Sequence, residues 1–349
     1  MIALPTDRRT SPPTRQHAPT ALLYGGGLVA VLAVVAASLL VGSRALDPAT
    51  VWQALWSAGN AEAHAIVVGQ RLPRTLLGLV GGGALALAGA MIQGHTRNPL
   101  ADPGLLGVTA GSSLAVVTAI AVFGLTTPAG YLWFAFAGAA AGTAIVTAIA
   151  TAAGRRRDAS PASLVLAGAA VSAFLSAATG VVLLLDSSAL DLYRFWTVGS
   201  LAGGRSLSVL TPVLPFVVAG AVVALAQSRV LDVLALGDDV ARSLGRRMVP
   251  TRIAGLAAVT LLVGSATSLV GSLGFIGLIA PHAVRWFTGS GYRLLLPMSL
   301  ISGAVVTVFA DIIGRLVVMP AELPVGVVLG VVGGPAFLVI IARMRRSRS

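Results

Sequence analysis

Long apolar runs alternate with short polar connections along almost the whole chain. The runs cover about 21–42, 72–94, 105–124, 131–153, 162–185, 207–227, 252–272, 275–288, 294–318 and 325–342. Most reach the roughly 20 residues that a helix needs to cross a bilayer. This pattern predicts an all-α, polytopic membrane protein with about ten transmembrane helices. The first run, Ala21 to Gly42, is longer than a signal-peptide core and lacks a convincing small-residue cleavage site, so it reads as a retained span. The run at 275–288 is too short for a simple straight crossing, and it is expected to extend past its boundary or to be helped by its neighbours. Two amphipathic pieces fall between spans, near Val51–Trp56 and Tyr193–Leu201. Their Trp52, Trp56 and Trp196 suit a membrane–water interface.

Composition agrees. Hydrophobic residues make up 56% of the 349 and charged residues only 10%; mean hydropathy is +0.91. Soluble domains carry about 25% charged residues. The net charge of +12 would raise nucleic acid for a soluble protein. Here basic loops held on the cytoplasmic side account for it. With the N-terminus inside and ten spans, only Arg44, Arg71, Arg74, Arg194, Arg205 and Arg315 fall outside. All the other arginines then lie inside. The expected organisation is a disordered cytoplasmic tail over 1–20, one transmembrane domain over 21–343 with its longest inner loop at 229–251, and a basic cytoplasmic tail over 344–349.

All 24 basic residues are arginine. A P-loop needs a lysine for the β- and γ-phosphates, so any ATP that drives this protein is expected on another polypeptide. Cysteine is absent, and the four histidines have no zinc-site spacing. No metal, cofactor or catalytic residue is expected in this chain.

Four segments stand out. Arg71-Leu72-Pro73-Arg74 opens the second span, where two arginines are costly unless they reach headgroups, water or an anion. Snorkelling and docking of an acidic partner both fit. Arg315, near the same side, could join that patch, or pair with Asp311. Asn98 to Gly107 is broken by Pro99 and Pro103, with Asp102 placed to cap the turn that follows. It reads as a structural re-entry turn or an inner gate. In Leu236-Gly237-Asp238-Asp239-Val240-Ala241-Arg242-Ser243-Leu244-Gly245 the acids precede a short helix, and Leu236, Val240 and Leu244 form an apolar stripe. Such a helix lies on lipid or plugs into a cytosolic subunit, and its acidic pair disfavours anionic lipid. Gly271 to His282 is glycine-punctuated and kinked at Pro281, with His282 read as a structural contact near Arg285. Arg71 and Arg252 each open a glycine-rich helix ending in a Gly/Pro stretch. Their span parity is that expected of an inverted repeat of helices 2–5 and 7–10. Intramembrane acids are scarce, which counts against an ion-coupled carrier.

Together the segments resemble the FecCD/BtuC-type permeases of type II ABC importers, which carry ferric siderophores, haem or vitamin B12. The matching blocks are RLPRTLLGLVGGGALALAGAMIQ at Arg71–Gln93, NPLADPGLLGVTAG at Asn98–Gly111, WTVGSL at Trp196–Leu201, LGDDVARSLG at Leu236–Gly245, GFIGLIAPHAVR at Gly274–Arg285 and AELPVGVVLGVVGGPAF at Ala321–Phe337. The resemblance implies ten spans per subunit, a second permease subunit, two cytosolic ATP-binding cassette subunits holding ATP and magnesium, and an extracytoplasmic substrate-binding protein. It implies that Arg71, Arg74 and Arg315 dock that binding protein. It further implies that Leu236, Gly237, Asp238, Asp239, Ala241, Arg242, Leu244 and Gly245 meet the ATPase. Asn98, Leu100, Ser160 and Ser163 would line the inner mouth of the pathway. The implied setting is the bacterial inner membrane, with both termini in the cytoplasm.

Overall fold

A computed structural model describes residues 19–152, 161–202 and 207–346. Among the described residues every regular element is helical: α1 (Thr20–Leu40), α2 (Pro48–Trp56), α3 (Ala61–Ile66), α4 (Leu72–Thr96), α5 (Val108–Phe123), α6 (Pro128–Ala152), α7 (Pro161–Leu185), α8 (Ser187–Val198), α9 (Leu210–Ala226), α10 (Ser228–Leu234), α11 (Asp238–Ser243), α12 (Met248–Val270), α13 (Ile276–Thr288), α14 (Tyr292–Val317) and α15 (Val325–Arg346). Eight helical stretches are long and apolar enough to cross a membrane, and α5 is a shorter apolar helix. Each of the ten apolar runs becomes one helix, and the two amphipathic pieces become α2 and α8. Most of the N-terminal segment 1–20 lies outside the described residues. α15 continues to Arg346, so the C-terminal piece read from 344 begins as helix.

The 275–288 run does not lengthen. Phe275 sits at φ 65 and stops α13 on its N-terminal side. Thirteen residues of helix span about 20 Å against about 30 Å of hydrocarbon. Ahead of it the chain is non-helical over Gly271–Phe275, with Gly271 and Leu273 buried and Gly274 exposed; irregular backbone at membrane depth is tolerated where it is buried in protein or lines a cavity. The start of α5 has a local echo of this. Gly107, at φ 72, precedes α5 just as Phe275 precedes α13.

α4 is the central rod. It packs against α12, α13 and α14, while α5 packs on α6 and α7, and α1 lies against α14. Every residue from Gly81 to Gly94 is buried. Its many small residues let neighbouring backbones approach closely. A Cβ on Gly82 would collide with Thr307 and the Gly303 carbonyl of α14, and one on Gly303 would meet the Gly82 carbonyl. In contrast, α1, α7, α9 and α15 leave most of their surface uncovered. Such apolar faces suit lipid or another membrane subunit.

Trp52 and Trp56 are exposed on α2, but Trp196 is 1% exposed. Its ring stacks on Tyr193, and its carbonyl accepts bonds from Gly199 and Ser272. Trp196 is therefore a packing residue and not an interfacial one. Alternation alone could not distinguish the two roles, because the neighbour that covers it lies far away in sequence.

Candidate functional site: two polar clusters at the ends of α4

α4 carries Arg74 at its first turn and ends at Arg97, about 35 Å further along. A polar cluster forms at each end.

At the first end, a π-helical turn over Val67–Arg71 precedes α4. Arg71 is only 5% exposed. Its Nη1 donates to the carbonyls of Leu39 at 2.7 Å and Leu40 at 3.0 Å, and its Nη2 donates to that of Arg44. These oxygens include the orphan carbonyls that close α1, where a cation is favourable. Arg74 donates from Nε and Nη2 to Asp311, at 2.7–2.9 Å. Its Nη1 pairs with Glu322. Arg315 lies one turn beyond Asp311 on α14, 2% exposed. It donates to Asp311 Oδ2 at 2.9 Å, to the Ser38 carbonyl at 2.8 Å and to Ser38 Oγ at 3.1 Å. Ser38 Oγ in turn lies 2.7 Å from Thr75 Oγ1. The structure thus brings the three sequence-predicted arginines together, but turned inward, with Asp311 shared by two of them.

The cluster holds three arginines against Asp311 and Glu322, and so keeps one positive charge in excess. Arg71 has no carboxylate partner among the described residues. A pocket of about 200 Å³ opens onto the cluster, lined by Ser43, Arg44, Gln70, Arg71, Arg74 and Glu322 among others. Burial alone would push the Glu322 carboxyl up. Its hydrogen bond and charge pairing with Arg74, aided by Ser43 and Arg315, outweigh that and leave it below the ordinary carboxylate range.

At the other end, the two acids of α11 divide their roles. Asp238 Oδ2 accepts from Arg252 Nη2 at 2.6 Å, near the start of α12. Its Oδ1 lies 3.5 Å from Arg97, the residue in left-handed conformation that ends α4. Asp239 is fully exposed and pairs with Arg242, three residues on in its own helix. Leu236, Val240 and Leu244 are exposed, while Ala241 is buried and faces inward. Gly237, at φ 114, lets the chain enter α11, and Gly245 follows its end. The sequence places this acidic pair correctly at a helix start, but it does not reveal that one acid points in and the other out.

Further clips hold this end. His95 Nε2 lies 2.9 Å from Gln227 Oε1, and Gln227 Nε2 donates to the Thr251 carbonyl at 3.2 Å. Arg285 donates to Gln93 Oε1 at 2.6 Å, and Gln93 donates to the Gly277 carbonyl at 3.2 Å. The Tyr292 amide donates to Asp232 at 2.7 Å, tying α10 to α14. Sequence reasoning missed Gln93, Gln227 and Asp232. As single polar residues in apolar surroundings they were the available signal.

Asn98 Oδ1 accepts from the Leu100 amide at 3.0 Å. The chain then turns back into the protein: Ala101 is fully buried, and Pro103 packs beside Gly277. Asp102 caps the Pro103–Leu106 turn through the Gly104 amide at 2.8 Å. Asn98 and Leu100 therefore stand at the start of a re-entrant segment. α7, which begins two residues before Ser163, packs on the turn at Pro103–Leu106. Ser160 lies outside the described residues.

Residues 29–343 match the model of the FecCD transport family. The chain belongs to this FecCD family. It is 44% identical to the ferric enterobactin transport system permease protein FepD of Escherichia coli, over 93% of this chain and 96% of that one. It is 36% identical to the hemin transport system permease protein HmuU of Yersinia pestis, over 94% and 97%. Among solved structures it superposes on an inward-facing conformation of a metal-chelate type ABC transporter. The TM-score is 0.80 at 26% identity, covering 93% of this chain and 99% of that one. As a FecCD-family protein with eight helical stretches able to cross a membrane, it is a multi-pass membrane permease.

Proposed function

We propose that this chain is the permease subunit of an ATP-driven importer that moves a ferric siderophore or related iron chelate into the cytoplasm. The observation that carries the reading is the pair of clusters joined by α4. One is a basic pocket suited to an acidic partner. The other is a short helix with an exposed apolar stripe, clipped to α4 and α12. Two similar permeases, FepD and the siderophore transport permease YfiZ of Bacillus subtilis, serve iron chelates by name, which favours iron over haem or cobalamin.

In this reading the Arg71 end faces outward and the α11 end faces the cytoplasm, with both termini inside. A loaded binding protein presents carboxylates to the pocket at Arg71, Arg74 and Arg315. Two ATP-binding cassette subunits grip α11 by Leu236, Val240 and Leu244, with Asp239 and Arg242 at the rim. A lysine-free chain leaves nucleotide and magnesium to those subunits. Asp238 passes their movement to α4 and α12. A second permease subunit completes the pathway, and Asn98, Leu100, Ser160 and Ser163 lie at its inner mouth. The chain breaks no bond in the substrate. Transport follows because ATP binding favours one of two arrangements over the other.

The test is uptake of radioactive iron(III), equilibrated with spent medium, by iron-starved cells with and without this chain, alongside labelled haem and cobalamin. Iron uptake should need the chain and survive collapse of the ion gradient while ATP is maintained. Uptake that follows the gradient and ignores ATP would reject an ABC importer. Haem or cobalamin uptake in place of iron would reject the substrate.

A further inference from the structure

Arg74 divides its guanidinium between two acids that differ in kind. Asp311 is completely buried on α14, binds both Nε and Nη2, and is also held by Arg315. It cannot leave without stranding two buried cations. Glu322 meets Arg74 only at Nη1 and is otherwise held by a hydrogen bond with Ser43. It sits in the connection Val318–Pro324 and not on a helix, and its side chain is 27% exposed. It forms part of the wall of the basic pocket and also of a second pocket of about 330 Å³, whose lining includes Thr126, Ser200 and Trp196. A side chain leaving Arg74 therefore has an adjoining space with hydroxyl groups to enter. The chain is anchored immediately after Glu322: the Leu323 amide donates to the Gly314 carbonyl at 2.9 Å, and the Gly326 amide to the Gly199 carbonyl at 3.1 Å.

We infer that Glu322 is an internal stand-in for the docking carboxylate: it covers Arg74 until an acidic side chain of the binding protein enters the basic pocket and replaces it. This rests on the docking reading above. Removing one partner of a buried pair leaves an uncompensated charge, whereas exchanging one carboxylate for another does not. The exchange keeps Arg74 neutralised in both states, so docking is reversible and the bare guanidinium is never offered to stray anions. Glu322 is held below the ordinary carboxylate range, so it is charged at neutral pH, as a stand-in must be.

The experiment compares three variants in cells, with each uptake rate normalised to the chain present in the membrane. Radioactive iron(III) in spent medium is supplied far below half-saturation, where the rate reports loaded binding protein meeting permease. Arg74→Gln removes the docking cation. Glu322→Gln removes the competitor. Asp191→Asn removes the same charge from the same end, at the exposed pair with Arg194 outside the pocket. Arg74→Gln should lower the rate and Glu322→Gln should raise it, each by up to about tenfold, as charges at a docking site do. Asp191→Asn should change it by less than about twofold. If both Arg74→Gln and Glu322→Gln lower uptake, the bridge is structural and the stand-in is rejected while docking survives. An unchanged rate in Glu322→Gln, an equal rise in Asp191→Asn, or a Glu322→Gln chain missing from the membrane also rejects it. An unchanged rate in Arg74→Gln rejects the docking reading itself.

Discussion

Replacing Asp238 by Asn tests whether α11 is clipped to the helices above it. The two bonds differ in weight. Arg252 is mostly covered and meets Oδ2 at 2.6 Å. A charge-assisted hydrogen bond of this kind contributes about 1.5–3 kcal/mol. Arg97 is 39% exposed at 3.5 Å, and a pair that open contributes at most about 1 kcal/mol. Asp238→Asn should therefore cost about 2–3 kcal/mol, because Asn keeps the shape but not the charge. Asp239 is 99% exposed, and Asp239→Asn should stay within about 0.5 kcal/mol. Equilibrium unfolding of the purified permease in mixed micelles, followed by circular dichroism, measures both. In the assembled importer Asp238→Asn should retain its ATPase subunits yet spend more ATP per iron moved, and reversing both acids to Lys should uncouple transport. Equal losses in the two Asn variants, or a larger loss in Asp239→Asn, would refute the division of labour.

Asp311→Asn should be more damaging, costing about 3–5 kcal/mol, because Arg74 and Arg315 lose their shared anion in a fully buried site; the yield of folded chain in detergent reads this. Arg71→Glu with Arg74→Glu should lower binding-protein-dependent uptake per chain present in the membrane, and a normal rate would defeat the docking claim. Gly82→Val should separate α4 from α14 and cost several kcal/mol through overpacking, about 1–3 or more, seen as loss of the folded chain. The Glu322 carboxyl titrates below its ordinary value of 4.5. Its bridge to Arg74 is therefore fully present above that value and is lost only as pH falls through the lower, folded one. The uptake ratio of Glu322→Gln to the unsubstituted chain should accordingly hold steady from neutrality down to 4.5, and an early decline would contradict it.

The helices were legible because a membrane span is written locally, in a run of apolar residues. The three arginines were legible as a group because each is expensive where it stands. Their destination was not. Arg74 and Asp311 are 237 positions apart, and nothing in either neighbourhood names the other. The pairing of Arg315 with Asp311, four positions apart, is readable from the sequence, whereas the fold also gives Arg74 both Asp311 and Glu322. The short α13 shows the opposite difficulty. The helix does not extend past the 275–288 run, and what adjoins it is irregular backbone, which has no periodic signature. Asp238 and Asp239 are adjacent and chemically identical, and only the packing of α11 beneath α4 and α12 separates them.

The glycine seam between α4 and α14 has a mechanical corollary. Two helices in backbone contact at Gly82 and Gly303, pinned again by Arg74 and Asp311, have no slack to slide or roll past one another. They form a stator. Movement is then left to the thinly covered α1, α7, α9 and α15, against a pair that stays put.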